Sequence, residues 1–264
     1  LKLIRSESSS NPLALARFER EVKTTSSLTH PHTIQIYDYG HTHDGTFYYV
    51  MEYLPGLGLD ELLSQHGALP PGRVIYLLRQ ACSALAEAHA AGLIHRDLKP
   101  GNLHISERGG LCDYVKVLDF GLVKLVQESE GAHLTADHTI SGTPLYMAPE
   151  QALGKPLDAR ADIYALGAVA FHMLTGQAPF PEGNAMAIML AHAQEPAPKI
   201  SDVHGGLPED IEQVILRCLA KSPDDRFADA NELEQALAAC SAANEWDAQQ
   251  AAVWWRNICF STRG

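Results

Sequence analysis

The spacing of hydrophobic positions changes along the chain, and each change marks an element. Leu1-Lys2-Leu3-Ile4 reads as the end of a strand, with one charge among apolar residues. After a Ser/Asn/Pro-rich loop at 6–12, a helix is predicted from about Pro12 to Leu28, with Phe18, Val22 and Thr25 on one face and Glu21 beside them. Ile34–Gly40 and Thr46–Glu52, rich in Tyr, Ile and Val, are predicted strands joined by a turn at His41–Gly45. Leu54-Pro55-Gly56 breaks this pattern and marks a hinge between a small β-rich part and a larger helical part. The period then becomes helical. A short helix covers about Leu59 to His66, and Pro70-Pro71-Gly72 opens a long one to about Ala91. Val74, Leu78, Ala81, Leu85 and Ala88 recur along it at helical spacing, and Gly92 stands where a C-terminal cap belongs. Leu103–Ile105 and Val115–Leu118 read as a small hairpin. Leu157 to Gly176 is apolar almost all round, the mark of a helix buried mid-domain. Pro208 with Glu209 and Asp210 starts a helix carrying Ile211, Ile215 and Leu219. A last domain helix spans about Ala228 to Cys240.

Residues 241–264 differ from the rest: Trp246, Val253, Trp254, Trp255 and Ile258 make an aromatic amphipathic tail. The favoured reading is a helix capping the domain; the other is the start of a linker or partner contact.

At 264 residues the chain suits one large core or a two-lobed unit. Its 46% hydrophobic and 20% charged residues are ordinary for a globular protein. A formal net charge of -12 argues against non-specific nucleic-acid binding, which needs a basic footprint. Cys82, Cys112, Cys218, Cys240 and Cys259 form no C-x-x-C pair and are odd in number, which fits a reduced, cytoplasmic compartment. The thirteen histidines show no H-E-x-x-H spacing and read as surface and core residues. The longest apolar run, Ile163 to Leu174, contains His172 and is too short to span a bilayer. No stretch reads as a signal peptide. The chain opens at Leu1 within an apolar pattern, so it is expected to be a fragment of a longer protein.

The candidate chemistry is concentrated in His95-Arg96-Asp97-Leu98-Lys99-Pro100-Gly101-Asn102. Asp97 can accept a proton from a hydroxyl, Lys99 can neutralise a transferring phosphate, and Asn102 can hold a divalent metal, the division of labour of phosphoryl transfer. Asp119, before Phe120-Gly121 at a predicted strand end, is a second candidate metal ligand. Residues 125–147 are polar and acidic, with Glu128, Glu130 and Asp137, and no Lys or Arg occurs between Lys124 and Lys155. A loop this long is functional or disordered. Asp162 opens an otherwise apolar helix and is not expected to be a bare surface charge. Lys2 and Glu21, one helix apart, form a candidate phosphate-anchoring pair.

With HRDLKPGN, DFG at 119–121, Ala148-Pro149-Glu150, Asp162-Ile-Tyr-Ala-Leu-Gly167 and Arg226 in this order, the chain resembles the eukaryotic-like (Hanks-type) Ser/Thr protein kinases, most closely bacterial ones. The resemblance covers about Leu1 to Cys240. It implies an α+β, bilobal fold: a partial β-rich N-terminal lobe at 1–53, a helical C-terminal lobe at 54–240 and the tail at 241–264. It also implies transfer of the ATP γ-phosphate to Ser or Thr hydroxyls of proteins, with Mg2+ (or Mn2+) as the metal.

By resemblance, Asp97 is the catalytic base, Lys99 contacts the transferring phosphate, and Asn102 and Asp119 are the metal ligands. Lys2 matches the strand lysine of V-A-I-K, and Glu21 its ion-pair partner. Met51 falls at the gatekeeper, and Glu52 and Leu54 at the hinge backbone that reads adenine. His104 replaces the usual apolar floor under the base, a departure. Thr143 matches a threonine whose hydroxyl meets Asp97. Glu150 and Arg226 match a buried ion pair, and Asp162 an aspartate bracing the catalytic loop. Arg96 before Asp97 implies control by activation-loop phosphorylation, with Thr139 the first candidate site, Thr135 the second, and Arg96 and Lys124 as phosphate partners. Gly101 stands where some relatives carry an acid that reads basic peptides, so Arg-directed specificity is not implied.

The G-x-G-x-x-G hairpin that covers ATP phosphates in the family is not in the sequence before Lys2, which leaves weak nucleotide binding and poor or no turnover as expectations for this stretch alone. Two rival readings follow: a pseudokinase or scaffold, favoured by that missing hairpin, and a small-molecule kinase, disfavoured by the APE segment and Thr-rich loop. Partners implied are protein substrates and a second copy for autophosphorylation, with no nucleic acid and no membrane segment; a parent protein anchored in a membrane is compatible with this.

Overall fold

The computed structural model describes residues 1–4, 19, 22–42, 46–120 and 144–261. Strands β1 (Lys2–Ile4), β2 (Ile36–His41) and β3 (Phe47–Met51) form an antiparallel sheet in the order β1-β3-β2. Along β3, Phe47 and Tyr49 are buried and their neighbours less so, the period-2 signature of a strand with one covered face. That face packs with Ile36 and with Val22, from the helical residues 22–26, into a small separate core.

The second sheet joins β4 (Leu57–Gly58), β5 (Leu103–Arg108) and β6 (Leu111–Val117). The β5–β6 hairpin is longer than its two apolar runs predict, because the polar Glu107-Arg108 stretch continues it to a turn at Gly109 and Gly110, with φ of 59° and 83°. Ile34 N–H donates to Val117 O at 3.0 Å and Val117 N–H to His32 O at 2.8 Å. This is why β2 starts at Ile36 and not at Ile34: the preceding residues pair with the end of β6 instead.

The remaining chain is helical: α1 (Leu59–His66), α2 (Pro71–Ala90), α3 (Pro149–Ala152), α4 (Arg160–Thr175), α5 (Ala185–Gln194), α6 (Ile200–Val203), α7 (Glu209–Cys218), α8 (Ala230–Ala238) and α9 (Ala248–Ser261). α4 is buried on all sides, from Ala161 to Leu174 apart from His172, and runs through the main core. Its crossing with α7 is close: a Cβ on Gly167 would lie 2.4 Å from the Cys218 Cβ. α4 begins later than its apolar run predicts because the Asp158 side chain turns back to accept the Arg160 N–H at 2.9 Å. Likewise α8 begins at Ala230 because Asp229 caps it, accepting from Asn231 N at 2.8 Å and Glu232 N at 2.9 Å.

The architecture is α+β with two lobes, a small antiparallel sheet followed by a helical body. The aromatic tail forms α9, and Trp254 and Trp255 pack against the main core. Cys82, Cys112, Cys218 and Cys240 are free, buried thiols. Among the described residues no helix is long and apolar enough to cross a membrane.

Candidate active site

Asp162 organises the loop that carries the site. Its buried carboxylate accepts from the backbone N–H of His95 at 2.7 Å and of Arg96 at 2.9 Å, and bonds His89 Nε2 at 2.8 Å. These bonds hold Arg96 at φ 64°, a left-handed conformation that a non-glycine residue adopts only under such constraint. Gln151 of α3 adds a bond from its side-chain amide to Arg96 O at 2.8 Å.

His95 connects the two halves of the site. Its Nε2 donates to Leu118 O at 2.7 Å, which fixes the tautomer and leaves Nδ1 to accept from Asp97 N–H at 3.3 Å. Full burial lowers the imidazole pKa, so the ring stays neutral. Leu118 N–H in turn donates to Asn102 O at 2.9 Å. Asp119 is thereby tied to the catalytic loop on both sides of Leu118, and it too has a positive φ, 50°.

The half-exposed Asp97 carboxylate receives Lys99 Nζ at 2.8 Å and Asn102 Nδ2 at 3.2 Å, both on Oδ2. Asn102 Nδ2 also bonds Asp97 O at 2.8 Å. The amide nitrogen of Asn102 is thus committed to Asp97, which leaves its oxygen for a hard cation; with the Asp119 carboxylate, tied to the same loop through Leu118, this oxygen donor set fits Mg2+. Among the described residues no group of three or more His, Cys, Asp or Glu side chains is placed to hold a metal ion.

Lys2 Nζ bonds Asp119 Oδ2, and the Tyr49 hydroxyl donates to Asp119 Oδ1. Burial first, and the Asp119 charge second, raise the Tyr49 pKa. The expected partner of Lys2, Glu21, lies outside the described residues, as do Lys124, Thr135, Thr139 and Thr143. Tyr49 was not legible as a site residue: it sits in a Tyr-rich strand, and only its alternation with Phe47 and Met51 marks it as inward-facing.

Met51 ends β3 opposite Ile36. Glu52 follows it, with its N–H donating to Gln35 O at 3.0 Å. Its side chain accepts from Lys116 Nζ at 2.5 Å, Arg108 at 3.1 Å and Gln35 N at 2.9 Å. Burial raises the Glu52 pKa, but the bonds from Lys116 and Gln35 outweigh it and hold the carboxyl below its usual range. Leu54 is half-buried next to this anchor. His104, on β5, lies opposite Gly58 and its Nε2 donates to Pro55 O at 3.4 Å.

Glu150 and Arg226 form a buried bidentate pair at 2.7 and 2.8 Å. The other Arg226 donors go to the carbonyls of Ala220 (2.9 Å), Arg160 (2.8 Å) and Lys221 (3.1 Å), so the buried guanidinium is compensated on all sides.

The family model described as a protein kinase domain matches residues 1–238. The serine/threonine-protein kinase pkn3 of Myxococcus xanthus is 40% identical over 242 residues, which are 90% of this chain and 44% of that relative. The chain therefore spans less than half the length of that relative. Among solved structures, the Mycobacterium tuberculosis PknI kinase domain superposes with a TM-score of 0.69 at 28% identity, covering 89% of this chain and 83% of that one. Rad53 1–466 in complex with AMP-PNP gives a TM-score of 0.65 at 25% identity, covering 82% of this chain and 53% of that one.

Proposed function

The chain belongs to the protein kinase domain family, and from that premise we propose that it transfers the γ-phosphate of ATP to serine and threonine hydroxyls of proteins. One observation carries the reading: the Asp97 carboxylate is oriented by Lys99 and Asn102 on one oxygen, beside an Asp119 tied to the same loop.

An acceptor hydroxyl reaching Asp97 donates its proton to the carboxylate as its oxygen attacks the γ-phosphorus, and the bond from that phosphorus to the β-phosphate oxygen breaks to release ADP. Lys99 is placed to offset charge on the transferring group, and the fixed donors need no rearrangement during the step. Asn102 and Asp119 hold Mg2+ in this reading, and the metal, when bound, neutralises phosphate charge. Lys2 and Glu21 anchor the phosphates. Met51, the backbones of Glu52 and Leu54, and His104 border the adenine. The bonds from Lys116 and Arg108 to Glu52 support this, because they fix the segment whose backbone must read the base. By the family resemblance Thr143 is assigned to pair with Asp97, and Glu150, Asp162 and Arg226 hold the large lobe around the loop. The domain is 1–240, with 241–264 appended as its tail. The bound AMP-PNP of Rad53 supports ATP as the nucleotide. Four buried thiols without a disulfide among them support a cytoplasmic, reducing location.

Phosphorylation of Thr139, or of Thr135, controls activity through Arg96 and Lys124, with a second copy of the chain as one route to it. Incubation with ATP and Mg2+ followed by mapping of phosphorylated residues tests both levels. Phosphate on Thr139 or Thr135 is expected. An active enzyme with this loop unmodified overturns the control mechanism, and no phosphate on any protein from a chain that carries the glycine-rich hairpin before Lys2 and binds ATP overturns the kinase reading.

A further inference from the structure

Residues 144–148 form neither helix nor strand; Met147 N–H reaches back to Pro144 O at 3.3 Å, a long bond that closes one loose turn. The segment nonetheless belongs to the surroundings of the site. Tyr146 lines a cavity of about 350 Å³ together with Lys99, Pro100 and Gly101 of the catalytic loop. Gln151 ties the start of α3 to both sides: its amide oxygen accepts from Ala148 N–H at 3.1 Å and its amide nitrogen donates to Arg96 O at 2.8 Å.

The segment is held from α5 by an imidazole that the mechanism above does not use. His192, buried in the last turn of α5, donates from Nε2 to Leu145 O at 3.0 Å. The Tyr164 hydroxyl of α4 donates to its Nδ1 at 2.9 Å. Lys221, beyond α7, donates to the Tyr164 hydroxyl oxygen at 3.4 Å and to His192 O at 3.0 Å. The donors run one way, from Lys221 to Tyr164 to His192 to Leu145, which selects the tautomer with its hydrogen on Nε2. Burial first, and the Lys221 charge second, lower the imidazole pKa to about 4, so Nδ1 remains an acceptor near neutral pH. Phe180 packs edge-on against the ring, with centroids 5.0 Å apart. The polar chain thus ends on one backbone carbonyl, in a segment with little internal support.

We infer that His192 is a positioning residue for the protein substrate: its bond to Leu145 O sets where residues 144–147 stand beside the catalytic loop, and so how a substrate chain is held while its hydroxyl meets Asp97. The inference rests on the kinase reading above. Asp162 holds the backbone of His95 and Arg96, and Lys99 and Asn102 orient the Asp97 carboxylate, through bonds that His192 does not share. Loss of the His192 bond therefore weakens the grip on the peptide and leaves nucleotide binding and the chemical step in place.

The test uses the chain that carries the glycine-rich hairpin before Lys2, with a set of single-serine peptides. KM for peptide, KM for ATP and kcat are measured near neutral pH, and peptide Kd by fluorescence anisotropy. His192→Leu removes the donor and should raise peptide KM and Kd about tenfold, the size of one buried hydrogen bond, with KM for ATP and kcat within about twofold of wild type. His192→Gln, whose amide can donate in place of Nε2, should recover most of that loss. Tyr164→Phe, which removes the hydroxyl that fixes the tautomer, should shift peptide Kd in the same direction by about threefold. Peptide binding unchanged in His192→Leu, or a loss that KM for ATP and kcat share, overturns the inference. Should His192→Leu fail to fold, Tyr164→Phe decides: a wild-type peptide Kd overturns it. Transfer to no peptide by a chain that binds ATP overturns the kinase reading instead, and peptide binding that His192→Leu weakens and His192→Gln restores would still support the positioning role.

Discussion

His192 shows how a buried side chain far in sequence from the catalytic loop adds to the acid sensitivity of the fold. Its Nε2 donates to Leu145 O at 3.0 Å, and its Nδ1 accepts from the Tyr164 hydroxyl at 2.9 Å. Burial first, and the Lys221 charge second, push its pKa from 6.5 down to about 4. The unfolded chain therefore binds the extra proton first as pH falls. Stability from the neutral ring is fully present above 6.5 and is lost as pH drops toward about 4, by roughly 1.4 kcal/mol per pH unit. Urea midpoints measured between those pH values should decline, and His192→Asn should flatten the decline. A slope identical to wild type would contradict this. His95, also buried and neutral, contributes with the same sign. That Asp97, Lys99 and Asn102 come together was legible from their spacing in one short run. The imidazole of His95 and the hydroxyl of Tyr49 were not, because their partners Leu118 and Asp119 are 23 and 70 residues distant.

At the scale of elements, α9 is latched to the β5–β6 hairpin through one carboxylate. Asp113, fully buried on β6 at φ 54°, accepts from Arg73 Nε at 2.8 Å and from an Arg73 terminal nitrogen at 2.7 Å. It also accepts from Trp246 Nε1 at 2.9 Å and Trp255 Nε1 at 2.7 Å. The Arg73 guanidinium carbon lies 3.6 Å from the Trp254 ring centroid, so the buried cation is covered as well as paired. Asp113→Ala leaves Arg73 buried and unpaired and should cost about 3–5 kcal/mol. Trp255→Phe removes one donor and should cost about 1–3 kcal/mol. Urea denaturation measures both; unchanged midpoints would mean the tail does not hold the hairpin. The amphipathic aromatic pattern made a capping helix legible, but not its anchor. A lone aspartate in a strand reads as solvent-facing, and its partners lie 40, 133 and 142 residues away. The pattern also predicts nothing between Gly176 and Pro208, where α5 and α6 form, since Ala185–Gln194 is apolar without a helical stripe.

For the whole molecule, the switch from period-2 to helical spacing near Leu54 was enough to divide the chain into a small sheet and a helical body. What spacing could not show is how the parts meet: residues before β2 pair with Val117, and Lys116 grips Glu52. These links run between distant segments and bring the hinge, the hairpin and the catalytic loop into one frame. The central claim is that this frame positions Asp97 for phosphoryl transfer. Its most direct test is Mg2+-dependent transfer from labelled ATP to protein, in wild type and Asp97→Asn, with nucleotide binding measured in parallel. Asp97→Asn should bind nucleotide like wild type and lose about 10²–10⁴-fold in turnover. Equal turnover in the two proteins, or wild type that binds ATP and transfers nothing, would contradict it.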